Sequence, residues 1–216
     1  MSRGLFLVFE GPEGTGKSSL IPLVAERFRR AGVEPVVVRE PGGTPAAEAL
    51  REQVLHSGGA WTAERELLYL AAARADLVAE VIRPALAEGR VVISDRYSLS
   101  TLAYQGAGRG LPLDKVEWVL AAATGGLTPD LTVILDLPPE VGLARRHSDR
   151  KRVDRLDRES LEFHRRVAGR YLEERGPGVV HVDATPELTA VEARVWSAIQ
   201  EAFPAHTAAP AHSAGT

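Results

Sequence analysis

Five short apolar runs limit what this chain can fold into more than any other feature of its sequence. Each run is apolar at successive residues, not at alternate ones. That pattern is typical of strands covered on both faces, as in a parallel sheet between helices. The runs are Leu5–Glu10, Val33–Arg39, Val91–Asp95, Leu131–Asp136 and the weaker Val179–Asp183.

Segments with apolar residues at helical spacing separate these runs. They are Ser18–Ala31, Ala63–Glu88, Asp114–Ala123, Pro139–His147, Leu156–Arg175 and Pro186–Phe203. Strands that alternate with helices indicate βαβ units. The sequence therefore predicts an α/β fold, a doubly wound five-stranded parallel sheet flanked by helices. We expect one domain over residues 1–204 and a disordered tail over 205–216, which are small, polar and Pro-containing.

Composition and charge exclude several classes of protein. Hydrophobic residues make up 44% of the 216 residues, charged residues 25%, and the formal net charge is -3. This balance argues against a nucleic-acid-coating protein, and no apolar run approaches the roughly 20 residues that span a bilayer. There is no cysteine, which excludes disulfides and thiol catalysis, and the N-terminus lacks the shape of a signal peptide. We expect a cytoplasmic globular protein with no nucleic-acid or membrane partner.

An eight-residue stretch directly after the first run fits the pattern GxxxxGK[ST]. It reads Gly11-Pro12-Glu13-Gly14-Thr15-Gly16-Lys17-Ser18, and it stands between a predicted strand and a predicted helix. The glycines let the backbone curl so that successive N–H groups face phosphate oxygens, and the helix adds its positive N-terminal end. Lys17 supplies a charge for the β- and γ-phosphates, and Ser18 supplies a hydroxyl ligand for Mg²⁺. This stretch, with the adjoining Ser19, predicts a nucleoside triphosphate site.

Two polar residues, Asp95 and Arg96, stand at the end of the third apolar run. Asp95 stands at the predicted carboxyl end of a strand, where open α/β sheets bind ligands, and it can hold Mg²⁺ through water. The guanidinium of the adjacent Arg96 has a planar fork suited to phosphate. The plainer alternative is that Asp95 caps a following helix over Ser98–Gln105.

Several stretches in order along the chain resemble the signature sequences of the thymidylate kinase family. They are Phe9–Ser18, Arg39-Glu40-Pro41-Gly42-Gly43-Thr44-Pro45, Asp95–Gly106, and Asp154-Arg155-Leu156 followed by Phe163 and Tyr171. The resemblance extends from about residue 5 to residue 203. It implies the P-loop kinase fold with a short lid, a homodimer, and Mg²⁺ with ATP as phosphoryl donor. The implied reaction transfers the γ-phosphoryl group of ATP to dTMP and gives dTDP and ADP, a step of dTTP biosynthesis.

Transfer to a nucleoside monophosphate needs little covalent help, because the acceptor is already an anionic oxygen. The enzyme has to hold two anions in line and stabilise the charge on the moving group. Lys17 and a magnesium ion bound by Ser18 and Asp95 serve the donor in this interpretation. Arg39 and Arg96 bind the acceptor phosphate.

The resemblance also implies contacts to the acceptor's base and sugar. Glu13 faces the sugar in this family, although a solvent-facing carboxylate is the alternative. Arg74 reaches the thymine carbonyl, and Leu70 stands where the family often has a stacking phenylalanine. Two further predicted contacts come from one helix face. Ser100 and Tyr104 lie against base and sugar, with Tyr104 crowding the 2′ position, while Gln105 offers both a donor and an acceptor near the base.

A basic run over residues 145–155 marks the predicted lid, about 145–156. It contains six Lys or Arg residues and two acidic ones. Most such runs are solvated surface. The phosphate-binding stretch, however, contains no arginine, and in this family the arginine that aids transfer comes either from that loop or from the lid. Arg150, four residues before Asp154, is the first choice, and Arg152 and Arg155 follow; Arg150 and Arg152 are also predicted to contact ATP.

Three other functions stay open at this point. The first is another nucleotide or nucleoside kinase. Adenylate-kinase-like enzymes carry a different glycine loop and lack the Tyr104-Gln105 signature, whereas a nucleoside kinase would need a base for a neutral hydroxyl, and Glu13 is available for that. A GTP-binding switch generally has an Asn-Lys-x-Asp guanine reader, whereas the fourth run is followed by Leu137-Pro138-Pro139-Glu140. A catalytically silent nucleotide-binding module is disfavoured by the presence of Lys17, Ser18, Asp95 and Arg96.

Overall fold

A computed structural model describes residues 3–56, 61–148 and 154–207 of the chain. All five strands lie in one sheet in the order β2-β3-β1-β4-β5, and every pair of neighbours is parallel. The strands are β1 (Phe6–Glu10), β2 (Val36–Arg39), β3 (Val92–Asp95), β4 (Leu131–Asp136) and β5 (Val179–Asp183). The predicted doubly wound α/β fold is therefore confirmed.

The helices cover both faces of this sheet. They are α1 (Lys17–Arg30), α2 (Pro45–His56), α3 (Ala63–Leu77), α4 (Arg83–Ala87), α5 (Ser98–Thr101), α6 (Leu113–Thr124), α7 (Pro139–Ser148), α8 (Leu161–Glu173), α9 (Leu188–Ala202) and α10 (Pro204–Thr207). Two π-helical segments extend the helical backbone. One, Val78–Ile82, joins α3 to α4, and the other, Leu102–Gly108, continues α5. No helix among the described residues is both long and apolar enough to cross a membrane.

Strand β1 explains why the runs are apolar at successive positions. Leu7 and Phe9 belong to a core layer that includes residues of α1 and α9, whereas Phe6 and Val8 belong to a layer that includes residues of α3 and α4. All four side chains have 0% exposure. Each strand residue thus buries its side chain in one of two layers, and none of the four faces solvent.

The element boundaries differ from the predicted ones where a polar or proline residue intervenes. Strand β2 begins at Val36, after Pro35, instead of at Val33. The helix expected from Leu156 begins at Leu161, because the Ser160 hydroxyl caps it by accepting from the Phe163 N–H. Helix α2 was not predicted; the Thr44 hydroxyl accepts from the Ala47 N–H in its first turn.

The predicted tail begins inside a short helix. Helix α10 spans Pro204–Thr207, and the Thr207 hydroxyl, which is 7% exposed, donates to the carbonyls of Phe203 and Pro204. Residues 205–207 are therefore helical, which corrects the predicted boundary at 205. The remainder of the tail, 208–216, lies outside the described residues.

Parallel pairing places three polar strand ends side by side. Glu10, Arg39 and Asp95 are the last residues of β1, β2 and β3. Asp95 is in register with Phe9 on one side and with Arg39 on the other. Because the carboxyl ends of parallel strands share one edge, the segments that follow them meet there.

Candidate active site

The predicted phosphate-binding stretch, Gly11–Ser18 (the phosphate loop), connects β1 to α1 with a tightly curled backbone. Gly14 has φ 74° and Gly16 has φ 89°, a region that side chains rarely adopt. A Cβ on Gly14 would lie 2.2 Å from the Gly142 carbonyl oxygen of α7, whereas a Cβ on Gly16 would meet nothing within 4 Å. The loop is thus packed on one side and open at the start of α1.

Lys17 lies buried at the start of α1 and binds its own loop. Its Nζ donates to the carbonyls of Gly11 and Pro12 at 2.9 and 3.1 Å and to the Thr15 hydroxyl at 3.1 Å. Burial lowers the pKa of this amine, Arg96 lowers it further, and nearby carboxylates including Asp95 oppose the shift; the result is a pKa of about 8. A ligand that brought negative charge into the loop would raise this pKa again.

Arg96, which follows β3, adopts a backbone conformation that is uncommon for its residue type. Its φ is 74°, the only positive value among the described non-glycine residues. The Arg96 N–H donates to the Phe9 carbonyl at 2.9 Å, and its own carbonyl accepts from the Ser94 hydroxyl at 2.7 Å. This geometry turns the guanidinium toward the phosphate loop, where Nη1 donates to the Gly11 carbonyl at 3.2 Å. The pattern of strain at a polar cavity is typical of a functional position.

Six side chains form one hydrogen-bonded group around this guanidinium, which we call the Arg96 cluster. Its members are Glu10, Glu13, Arg96, Ser100, Tyr104 and Tyr171. Arg96 Nη2 lies 2.6 Å from Glu13 Oε1 and 3.2 Å from the Tyr104 hydroxyl oxygen. Its Nη1 lies 3.1 Å from the Ser100 hydroxyl and 3.2 Å from that of Tyr171.

Glu10 forms the buried base of the Arg96 cluster. It has 0% exposure, and its Oε1 accepts from the backbone N–H groups of Tyr97 and Ser100. Its Oε2 accepts from the Ser100 hydroxyl at 2.6 Å and from the Tyr171 hydroxyl at 3.0 Å. Both hydroxyls that bind Glu10 also accept from Arg96, so Glu10 is linked to the guanidinium through Ser100 and Tyr171.

Glu13 points into the Arg96 cluster, which removes the solvent-facing alternative. Burial by itself would raise the pKa of this carboxyl, but Arg96, Lys17 and Arg146 together lower it to about 2. The Tyr104 hydroxyl also donates to Glu13 Oε1 at 2.9 Å. A negative charge inside a phosphate-binding loop is thus balanced by three cations.

Arg74 on α3 is buried, with 4% exposure, so it is not a surface arginine. Its Nε lies 2.6 Å from Glu40 Oε2, its Nη1 donates to the Thr101 hydroxyl, and its Nη2 donates to the Tyr97 carbonyl. These bonds use three of the five guanidinium N–H groups and leave one on each Nη. Burial raises the pKa of Glu40 to about 7 against the effect of Arg74, and Glu40 Oε1 is a buried atom with no partner among the described residues.

Gln105 belongs to a second buried group, which we call the Glu66 cluster and which consists of Glu66, Gln105, Arg109 and Arg155. Gln105 Nε2 donates to Glu66 Oε1 at 2.6 Å, and Arg109 bonds both Glu66 oxygens. Arg155 Nη2 donates to Glu66 Oε2, and its Nε donates to the Val54 carbonyl at 3.0 Å. Arg155, a lower-ranked choice for the transfer arginine, is therefore engaged by Glu66.

One cavity of about 750 Å³ brings the predicted site residues together. It is lined by Glu13, Gly14, Thr15, Gly16, Lys17, Ser18, Arg39, Leu70, Arg74, Asp95, Arg96, Ser100, Tyr104 and Gln105. Arg39 also donates to both oxygens of Glu48 at 3.1 and 3.2 Å, and its side chain is 57% exposed. Gly11, Pro12 and Ser19 do not line this cavity; the first two form the loop's buried entry, and Ser19 is exposed on α1.

The predicted lid is described only in part. Arg150 and Arg152 lie outside the described residues. Arg145 and Arg146, at its start, line the cavity, and Arg146 makes a forked contact with Asp157 at 3.0 and 2.5 Å. Arg146 Nε lies 3.9 Å from Glu13 Oε2, so the basic run begins beside the phosphate loop.

Sequence reasoning missed several residues that the fold places in or under the cavity. They are Glu10, Glu40, Arg51, Leu55, Glu66, Thr101, Arg146, Leu156 and Tyr171. Glu10, Glu40, Thr101, Leu156 and Tyr171 all belong to the stretches that carry the family resemblance, and that signal could have identified them. Arg51 and Leu55 belong to the unpredicted α2, so nothing in the sequence pattern pointed to them.

Asp95 and Ser18 fit a site for a magnesium ion that arrives with a nucleotide. Asp95 Oδ1 is buried without a hydrogen-bond partner among the described residues, and the Ser18 side chain is exposed at the start of α1. Within the described ranges, no three His, Asp or Glu side chains converge into a metal site. Mg²⁺ in phosphoryl-transfer sites generally uses one or two protein ligands together with phosphate oxygens and water, so this sparse donor set suits it.

Comparison with known proteins agrees with this arrangement. The thymidylate kinase family profile matches residues 9–195. The chain is 46% identical to a thymidylate kinase of Deinococcus radiodurans over 204 residues, which cover 93% of this chain and 98% of that protein. It is 49% identical to one of Thermomicrobium roseum over 199 residues, covering 91% and 94%, and 50% identical to one of a Synechococcus strain over 199 residues, covering 91% and 95%. With the fold, the phosphate loop and these matches in agreement, the chain belongs to the thymidylate kinase family.

Proposed function

We propose that this chain transfers the γ-phosphoryl group of ATP to dTMP, giving dTDP and ADP for dTTP biosynthesis. The observation that carries the proposal is a single cavity lined both by the phosphate loop and by several arginines, among them Arg39, Arg74 and Arg96. Two polyanions repel each other strongly in a water-poor site unless cations lie between and around them. A cavity with this lining is suited to hold a triphosphate and a monophosphate together.

Lys17 and Arg96 supply the fixed positive charge for the transfer. The loop N–H groups and Lys17 hold the donor phosphates, while Arg39 and Arg96 hold the acceptor phosphate. Arg96 is oriented by hydrogen bonds from the protein's own side chains, so little reorganisation is needed when charge develops. No general base is required, since the attacking atom is an anionic phosphate oxygen.

Magnesium would be held by Ser18 and, through water, by Asp95. It would neutralise charge on the donor phosphates when bound. The test replaces Ser18 by alanine, and the control replaces Ser197, an exposed serine on α9, in the same way. We expect Ser18→Ala to raise the Mg²⁺ concentration needed for half-maximal rate severalfold and Ser197→Ala to leave it unchanged; equal effects would contradict the assignment.

The remaining contacts define the acceptor. Leu70, Arg74 and Gln105 would surround the base, with aliphatic contact from Leu70 in place of aromatic stacking. Glu13 and Tyr104, joined by a 2.9 Å hydrogen bond, would face the sugar. Ser100 would lie on the same side of the cavity, against the base and sugar. Tyr104 would then occupy the space of a 2′-hydroxyl and favour deoxyribose.

A transfer arginine from the predicted lid is part of the proposal. Arg150 is expected to stabilise the moving phosphoryl group, with Arg152 on the donor side. Because such a cation acts mainly in the transition state, Arg150→Ala should lower kcat more than it raises the KM for dTMP. Unchanged kcat in Arg150→Ala, Arg152→Ala and Arg155→Ala would remove the assignment.

Quaternary structure and location stay predictions. The family resemblance predicts a homodimer, which light scattering of the purified full chain tests directly. The cysteine-free sequence predicts a cytoplasmic protein. One domain over residues 1–204 is likewise proposed, and a single cooperative thermal unfolding transition would support it.

The experiment that tests the reaction couples ADP release to a spectroscopic readout with MgATP and each nucleoside monophosphate in turn. We expect dTMP to be used best, dUMP less well, and AMP, GMP and CMP near background. Preference for AMP or CMP would overturn the acceptor assignment. Thymidine added as an acceptor separates this proposal from a nucleoside kinase, and ATP hydrolysis without any acceptor separates it from a nucleotide-dependent switch.

A further inference from the structure

Glu66 occupies a position that the proposed mechanism does not use. It lies on α3 with 1% exposure, four and eight residues before Leu70 and Arg74, which line the cavity. Residues at that spacing share one face of a helix. Burial by itself would raise the pKa of Glu66, but hydrogen bonds from Arg155, Gln105 and Arg109 lower it, so the side chain is a carboxylate at neutral pH.

The hydrogen bond between Glu66 and Gln105 fixes the orientation of the Gln105 side-chain amide. An ionised carboxylate can only accept hydrogen bonds, so the 2.6 Å contact with Glu66 Oε1 must come from the amide nitrogen. The carbonyl oxygen is then the acceptor that Gln105 can offer to a ligand in the cavity it lines. Sequence reasoning assigned both a donor and an acceptor to this residue, whereas the contact commits the nitrogen to Glu66.

Two arginines keep Glu66 in its ionised, acceptor-only state. Arg109 bonds both of its oxygens and also lies 2.7 Å from Glu159, while Arg155 bonds Glu66 Oε2. Two acidic and two basic side chains therefore balance in charge. Arg155 also ties its own segment to α2, since its N–H donates to the Leu55 carbonyl at 3.3 Å.

We infer that Glu66 is a positioning residue that sets acceptor-base selectivity by holding the Gln105 amide with its carbonyl oxygen available to the base. The inference rests on the proposed function. Thymine carries an N–H donor at ring position 3, whereas cytosine carries a lone pair there. An amide fixed with its oxygen toward the base accepts from the first and repels the second. Glu66 thereby excludes a cytosine nucleotide that has the same sugar and phosphate as the substrate.

The test compares kcat/KM for dTMP with kcat/KM for dCMP in Glu66→Gln. A glutamine at position 66 can donate as well as accept, so it no longer dictates the orientation of Gln105. We expect the dTMP-to-dCMP ratio to fall by about tenfold, the effect of one reversed hydrogen bond. The matched control is Glu64→Gln on the same helix, an exposed position, which should retain the wild-type ratio.

A second variant separates Gln105 orientation from the rest of the Glu66 cluster. Arg155→Gln leaves the Glu66–Gln105 contact in place, so the ratio should hold even if kcat falls. A wild-type ratio in folded Glu66→Gln, or an equal fall in Arg155→Gln, overturns the inference. If Glu66→Gln does not fold, Glu66→Asp keeps the charge but withdraws the carboxylate from Gln105; it should lower the ratio, and an unchanged ratio overturns the inference.

Failure of the two proposals is distinguishable in the same assay. A wild-type protein that does not phosphorylate dTMP contradicts the proposed function. A wild-type protein that phosphorylates dTMP, with an unchanged ratio in the variants, contradicts only the role of Glu66. Thermal unfolding monitored by circular dichroism establishes that each variant is folded.

Discussion

The phosphate loop and the Arg96 cluster line the same cavity but are built in different ways. The loop is eight consecutive residues whose contacts are mostly local; Lys17 Nζ, for example, bonds groups no more than six residues away. The Arg96 cluster gathers side chains from β1, the loop, α5, a π-helical segment and α8. Its longest bond, between Glu10 and Tyr171, spans 161 residues of sequence.

This difference has an energetic consequence. The phosphate loop is held by contacts within its own few residues, and burial of its amine lowers the pKa of Lys17. The Arg96 cluster exists only when these separate elements are packed together. Its charged members are stabilised by one another, as the low pKa of Glu13 shows. Removing a charge should therefore lower the free energy of unfolding more in the Arg96 cluster than in the phosphate loop.

The largest expected effect is that of Arg96→Ala. The change removes preorganised donors to the transferring group, so kcat/KM for dTMP should fall about a thousandfold in the coupled assay. It also leaves Glu13 buried without its closest cation. The free energy of unfolding should fall by about 2 kcal/mol in urea, since the pair is still 15% and 19% exposed. Wild-type stability would mean that the cluster does not stabilise the fold.

Lys17→Met is expected to separate activity from stability. We predict about a hundredfold lower kcat, because a charge on the donor phosphates is lost. The free energy of unfolding should stay within about 1 kcal/mol of wild type, because the lost hydrogen bonds are offset by removal of a buried ammonium. The same urea titration that is used for Arg96→Ala measures it, and a loss as large as in that variant would erase the contrast between the two regions.

A smaller effect is expected for Tyr171→Phe at the far end of the cluster. The change removes one hydroxyl shared by Glu10, Ser100 and Arg96. We expect kcat/KM for dTMP to fall about fivefold and the free energy of unfolding by about 1 kcal/mol. The KM for ATP should not change, because the phosphate loop is untouched; a higher KM for ATP would show that the two regions are coupled.

The smallest expected signal is a proton taken up when ATP binds. With the pKa of Lys17 at about 8, roughly half of the amines are neutral at pH 8, and the triphosphate should protonate them. Calorimetry in buffers of different ionisation enthalpy should detect uptake of up to about half a proton at pH 8 and close to none at pH 6.5. Lys17→Met supplies the reference, since it cannot take up this proton.

The sheet and the phosphate loop could be predicted because both are local patterns. Runs such as Leu131–Asp136 match the observed strand at both ends, and the motif at Gly11–Ser18 lies between strand and helix as expected. Errors arose where a local pattern is weak. Helix α2 carries only three buried residues, Ala47, Val54 and Leu55, which is too few to produce a clear apolar periodicity.

The candidate site could be predicted residue by residue but not as a network. Family resemblance pointed to Arg74, Arg96 and Gln105, and all three line the cavity. Glu40 and Glu66, which accept from Arg74 and Gln105, were not assigned roles. Neither was Glu10, which accepts from the hydroxyls that contact Arg96. In the sequence, a carboxylate that will be buried cannot be told from one on the surface. Only the fold shows which cation or amide lies against it, so these contacts depend on long-range packing.

The left-handed backbone at Arg96 bears on how this protein would respond to selection. Glycine at that position would adopt the same angles without strain, but it would also remove the guanidinium that balances the buried Glu13, and that loss outweighs the strain relieved. Engineering for durability should therefore hold residue 96 fixed and seek its gains in positions remote from the cavity.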